Sequence, residues 1–172
     1  MKIFLALFAL MLVVIPALAA APQEGQRAPA FTLPAHDGTS VSLDSFKGKW
    51  LVLYFYPKDA TPGCSVEAHN FQADLEKYTA LNATVVGVST DDVASHVKFR
   101  EAQELTFTLL SDTDAYVSTL YDSSMTMGFA TLSARNTFLI DPKGIVRRAY
   151  ISVDPATHSA AVLADLAELQ KK

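Results

Sequence analysis

One thiol stands in the chain, Cys64, inside the stretch Tyr54–Glu67, YFYPKDATPGCSVE. The reactive form of a cysteine is the thiolate, and an isolated thiol with a pKa of about 8.5 is mostly protonated at neutral pH. The neighbours of Cys64 supply ways to favour the anion. Thr61 suits an N-cap and Pro62 the first helical position. Cys64 then falls in the first helical turn, where unpaired amides and roughly half a positive charge face the sulfur. The Thr61 hydroxyl, one turn earlier, is close enough to hydrogen-bond the sulfur or a ligand beside it. Gly63 leaves the backbone open to close approach. Pro57 ends an apolar run and can wall off water. Set against this, Thr-Pro-Gly is also an ordinary helix start, and a lone cysteine can be a small buried apolar residue.

A cation would strengthen the chemical reading. The arginines are Arg27, Arg100, Arg135, Arg147 and Arg148. Arg135 lies at the end of an irregular loop, just before a strand, where a sheet can aim its side chain at a site. Arg147 and Arg148 share an alternating strand, so at least one faces solvent. Arg100, between Lys98 and Glu101 on a helix, is expected at the surface. No His/Cys/Asp/Glu set has metal-ligand spacing, and Met125 and Met127 read as core or rim residues. No cofactor is implied.

The elements that must position these residues follow from periodicity and punctuation. Phe31–Leu33 and Thr39–Leu43 flank His36-Asp37-Gly38 and read as an N-terminal hairpin. Trp50–Tyr56 is a continuous apolar run, as expected of a strand buried on both faces. Cys64, Ala68, Phe71, Leu75 and Tyr78 recur at helical spacing and form one apolar face. Ala83–Val88 is the next strand, Asp91-Asp92 start a helix to about Gln103, and Thr106–Leu110 is a short strand. Ala115–Tyr121 is a short helix. Met125–Ala134 has no clear period and reads as a loop. Thr137–Ile140 and Ile145–Ile151 flank the turn Asp141-Pro142-Lys143-Gly144 as an antiparallel hairpin. Pro155–Gln170 closes the chain as a helix with Val162, Leu166 and Leu169 inward. Alternating strands and helices followed by an antiparallel hairpin indicate a three-layer α/β domain around a mixed sheet.

The 172 residues, half of them hydrophobic, suffice for one domain with a core. Residues 1–21 stand apart. After Met1-Lys2 the segment carries no charge, Pro16 breaks it, and Ala17-Leu18-Ala19 offers a small-x-small cleavage pattern. It reads as a signal peptide cut after Ala19 or Ala21, leaving a domain over 22–172 exported to the periplasm or another extracytoplasmic space. The alternative is an uncleaved anchor, against which Pro16 and the alanine-rich end argue. Stable membrane insertion after cleavage is not expected. The formal net charge is −4, without basic runs, which speaks against a nucleic-acid role. An exported thiol without a partner is either reactive or linked to another chain.

Pro57, Thr61 and Cys64 fit the Pro-x-x-x-Thr-x-x-Cys signature of the peroxiredoxins, and YFYPKDATPGCSVEAHNF resembles the bacterioferritin-comigratory, or PrxQ, subfamily. GQRAPAFTLPAHDGTSVSLDSFKGKWLVLYFYP is similar to that family's opening, ARNTFLIDPKGIV to its arginine segment and VDPATHSAAVLADL to its final helix. The resemblance implies a thioredoxin-like fold and peroxide reduction. It implies Cys64 as the peroxidatic cysteine, Thr61 as a holder of the peroxide, and Arg135 as the stabiliser of thiolate and transition state. Pro57 would then shield the site, Glu67 orient the arginine, and the Gly63 and Cys64 amides serve the departing oxygen.

The sequence departs from the family where many members carry a resolving cysteine: His69 stands at one such position, and Val93–Gln103 has none. His69, more than a turn beyond Cys64, is expected to be exposed. A sulfenic acid at Cys64 would need an external thiol, whether a thioredoxin-like protein, a glutaredoxin-like protein or a small thiol. The chain is expected to be a monomer or a weak homodimer. Two other readings compete with a thiol peroxidase: a non-enzymatic redox sensor or binding protein, and a noncatalytic domain with a structural cysteine.

Overall fold

Strand β3 (Trp50–Phe55) is the centre of the molecule, and Leu51–Phe55 are buried along it. In the computed structural model, which describes residues 20–171, β3 pairs in parallel with β4 (Ala83–Ser89), Tyr54 opposite Gly87. On its other side it pairs antiparallel with β8 (Thr137–Ile140), Tyr54 opposite Thr137. β5 (Thr108–Ser111) and β9 (Val146–Tyr150) complete a mixed sheet of order β5-β4-β3-β8-β9. The signal peptide expected over residues 1–21 lies, up to residue 19 and with its Ala17–Ala19 motif, outside the described residues.

Alternation along β3 sorts its side chains into two cores. Leu51, Leu53 and Phe55 meet Phe31, Leu33, Val117 and Tyr121. That face is covered by the hairpin β1 (Thr32–Pro34) and β2 (Ser40–Ser42), with Leu33 opposite Val41, and by α4 (Tyr116–Leu120). Val52, Tyr54 and Tyr56 turn the other way, onto Cys64, Ala68 and Phe71 of α1 (Pro62–Ala73) and Tyr78 of α2 (Leu75–Ala80). Phe99 of α3 (Val93–Ala102) and Val162 and Leu166 of α5 (His158–Leu169) close that core. Among the described residues no helix is long and apolar enough to cross a membrane.

Three expectations change. The single helical face from Cys64 to Tyr78 is carried by two helices, because the chain breaks at Asp74. The Asp74 carboxylate accepts from Lys77 Nζ at 2.8 Å and from Ser159 Oγ at 2.9 Å, tying the break to α5. Segment 125–134 is a hairpin: β6 (Ser124–Met127) pairs with β7 (Ala130–Ser133) through a turn in which Gly128 has φ +64. Most of its residues are exposed, so alternation left no apolar period to read. Arg100 is half-buried, its Nε donating to the Phe107 carbonyl at 3.0 Å. His69 is exposed, as expected.

Candidate active site

Thr61 is the N-cap of α1 in extended backbone (φ −80, ψ 150) with Pro62 following, as its sequence demands. The first i→i−4 bond of the helix is Ser65 N–H to Thr61 O at 2.9 Å, so the Gly63 and Cys64 amides precede the ladder. The Thr61 hydroxyl does not bond the sulfur or the helix amides. It donates to the Lys58 carbonyl at 3.0 Å. With its hydrogen committed there, the oxygen retains lone pairs with which to accept from a ligand O–H. Pro57 is half-buried where β3 ends.

Cys64 is 1% exposed and unpaired with any cysteine. Its sulfur accepts a hydrogen bond from Arg135 Nη2 at 3.2 Å. The other arm of the same guanidinium, Nη1, donates to Glu67 Oε2. Arg135 is carried from β7 into β8, and its carbonyl accepts from Val153 N–H at 3.1 Å. The adjoining Asn136 is buried and bonded to Ser123 Oγ at 2.9 Å and Ser152 N at 2.9 Å, which keeps the arginine's backbone in place. Gly63 lets the guanidinium close in: a Cβ there would stand 3.4 Å from Arg135 Nη2 and 3.7 Å from Pro155 Cγ.

Electrostatics follow from burial. Glu67 is enclosed, and loss of water pushes its pKa up to about 7 although Arg135 pulls the other way. Its Oε1 has no hydrogen-bond partner among the described residues. Burial works against charge on Arg135, yet Glu67 and Cys64 together hold its pKa above the ordinary value. His158, buried near the guanidinium and bonded through Nε2 to Thr137 Oγ1 at 2.8 Å, is pushed down to about 4 by burial and by Arg135, and is neutral. A cation clamped between a carboxyl and a sulfur stabilises negative charge on the sulfur and on any oxygen that forms beside it.

Thr61, Gly63, Cys64, Glu67 and Arg135 therefore meet around one helix start, with Pro57 at the beginning of the loop that leads into it. Two neighbours were not singled out from sequence. Pro155 packs near Gly63 from the segment before α5. Tyr54, buried with its hydroxyl unpartnered among the described residues, lies close enough to Glu67 and Cys64 that their charges, after burial itself, push its pKa up. Neither carries a local signal, because each arrives by tertiary packing.

Residues 24–149 match the model of the AhpC/TSA family. A chloroplastic peroxiredoxin Q of Triticum aestivum is 46% identical over 127 residues, 74% of this chain; this chain spans 58% of that protein's length. Peroxiredoxin Bcp of Bacillus subtilis is 37% identical over 156 residues, covering 86% of this chain and 97% of that protein. Among solved structures, peroxidoxin BcpB of Mycobacterium tuberculosis matches with a TM-score of 0.81 at 30% identity, over 86% of this chain and 98% of that one. The sheet and its helices are thus arranged as in the thioredoxin-like fold of such proteins.

Proposed function

The chain belongs to the AhpC/TSA family, among the peroxiredoxins, and from that membership we propose that it reduces hydrogen peroxide and organic hydroperoxides through Cys64. The observation that carries this is the guanidinium bridge, in which Arg135 holds Cys64 Sγ at 3.2 Å with one arm and Glu67 with the other.

Each part of the site has a task in that reaction. The thiolate attacks one peroxide oxygen; an S–O bond forms as the O–O bond breaks. The departing oxygen leaves with the electron pair as an alkoxide or hydroxide and takes up a proton. Thr61, whose hydrogen is spent on Lys58, accepts from the peroxide O–H and so fixes which oxygen faces the sulfur. Arg135 and the first-turn amides meet the charge that builds on the departing oxygen. A donor of this kind contributes on the order of 10²–10³ in rate. Arginine suits the task because it keeps its proton and offers fixed donors. Glu67 keeps the fork aimed, and Pro57 limits water.

The product is a Cys64 sulfenic acid. No second cysteine stands in this sequence, so the reductant is an external thiol: a thioredoxin-like or glutaredoxin-like protein, or a small thiol. It condenses with the sulfenic acid to a mixed disulfide, releasing water, and a second thiol frees Cys64. Because Cys64 is 1% exposed, a protein thiol reaches it only after the first turn of α1 lifts. The leader over residues 1–21 supports export to an extracytoplasmic space, with the chain working there as a monomer or weak homodimer.

The test is peroxide consumption with excess small thiol, for wild type and Cys64→Ser. Sustained consumption that the serine variant lacks supports the proposal. Consumption that stops at about one equivalent per chain with every thiol tried makes Cys64 a sensor, since the first oxidation is common to both and only turnover separates them.

A further inference from the structure

Behind the reactive cysteine lies a second pair of ionisable side chains that the chemistry above leaves unused. His96 of α3 is fully enclosed, and Asp59 of the loop between β3 and α1 nearly so. His96 Nε2 stands 3.1 Å from the Leu110 carbonyl of β5. A carbonyl only accepts, so Nε2 carries a hydrogen. His96 Nδ1 stands 2.9 Å from Asp59 Oδ2. The same carboxylate accepts from Tyr56 Oη at 2.7 Å through Oδ1 and from Ser95 Oγ at 2.8 Å through Oδ2. Burial alone would raise the Asp59 pKa, but the hydrogen bond and charge of His96 hold it below its ordinary value. Asp59 thus gathers Tyr56 Oη, Ser95 Oγ and His96 Nδ1 on its two oxygens, the arrangement of a carboxylate that accepts from all three.

We propose that Asp59 and His96 form a buried imidazolium–carboxylate clamp that positions the peroxide site, fixing the loop from Pro57 to Thr61 onto α3 and β5. This deepens the peroxidase reading and rests on it. The loop needs such a clamp. Ala60, next to Asp59, has φ +57, a left-handed conformation that a residue with a Cβ adopts only when its surroundings impose it. The Asp59 N–H is held by Asp91 Oδ2 at 2.8 Å, and Asp91 in turn accepts from Ser89 Oγ at 2.7 Å. Thr61, just beyond Ala60, folds its hydroxyl back onto Lys58. A strained turn tied down on both sides sets the direction in which Thr61 and the Gly63 and Cys64 amides point. Ion pairs this deep are poor sources of net stability but hold one geometry when every donor is matched. His96 touches neither Cys64 nor Arg135, so it is a positioning residue.

The experiment uses the full chain and three readouts. Nitrogen NMR of the histidine rings reports the protonation of His96. Rates of Cys64 oxidation by hydrogen peroxide and of alkylation by iodoacetamide are compared for wild type, His96→Gln and Tyr56→Phe. Alkylation needs the thiolate but no donors aimed at a departing oxygen, so the ratio of the two rates isolates positioning. The expected results are a doubly protonated ring and a peroxide rate about 10- to 100-fold lower in His96→Gln, with alkylation not slowed. Tyr56→Phe keeps its ring packing and shows a smaller fall in the same ratio, which covers the case of a His96 variant that does not fold. A ring with one proton, a folded His96→Gln oxidised at the wild-type rate, or an unchanged ratio in Tyr56→Phe overturns the clamp alone. A wild type that no peroxide oxidises overturns the peroxidase reading and the clamp's role with it.

Discussion

Replacing Glu67 by Gln removes one charge from the buried bridge while keeping its shape. In the unfolded chain the carboxyl titrates near its model value of 4.5; in the folded protein burial lifts it to about 7, against the pull of Arg135. Between those values the folded chain keeps a proton that the unfolded chain has released. Stability therefore falls as pH rises through that window, and it levels off above it. The separation corresponds to about 3 kcal/mol at Glu67. At pH 4.5 the protonated carboxyl and the carboxamide are near-isosteres, and the two proteins should differ by no more than about 1 kcal/mol. By pH 8 the wild type carries a buried carboxylate whose Oε1 lacks a donor among the described residues, and the balance moves by about 3 kcal/mol in favour of Glu67→Gln. Urea unfolding of both proteins across this range measures the shift, and groups shared by the two cancel in the difference. A difference that stays flat with pH, or that moves toward the wild type, refutes the reasoning: Arg135 would then have outweighed burial.

Arg135→Lys keeps a charge but cannot reach both Cys64 and Glu67, and its peroxide rate should fall on the order of 10²-fold, with Arg135→Met lower still; stopped-flow oxidation of Cys64 reads both. Gly63→Ala puts a methyl 3.4 Å from Arg135 Nη2, close against the arm that holds Cys64, and the same assay should show a loss of no more than about tenfold with stability changed by less than about 1 kcal/mol. Gly87→Ala acts on the fold instead. Its Cβ would stand 2.7 Å from Leu109 Cδ2 and 2.8 Å from Tyr54 Cζ, and thermal unfolding should report a loss of about 1–3 kcal/mol.

The parts of this protein legible in its sequence are those that local forces decide. A cap, a proline and a helical apolar period act within a few residues, so α1 and the place of Cys64 in its first turn could be read directly. The run Trp50–Tyr56 betrayed a central strand because burial on both faces leaves no polar position. Where burial left no imprint, as in the exposed β6–β7 hairpin, the pattern was silent. The break at Asp74 escaped because its partner on α5 lies 85 residues away.

The chemistry divides along the same line. Sequence alone determined that one thiol sits at a helix start and that Arg135 leads toward a sheet. Tertiary structure decided that the guanidinium, 71 residues from the sulfur, reaches it, that Thr61 spends its hydrogen on Lys58, and that Glu67 is dry enough to titrate near neutrality. It also joined Asp59 to His96 across 37 residues. The physical reason is that a charge in water has no fixed meaning: its proton, its partner and its strength are settled only when the chain around it excludes solvent.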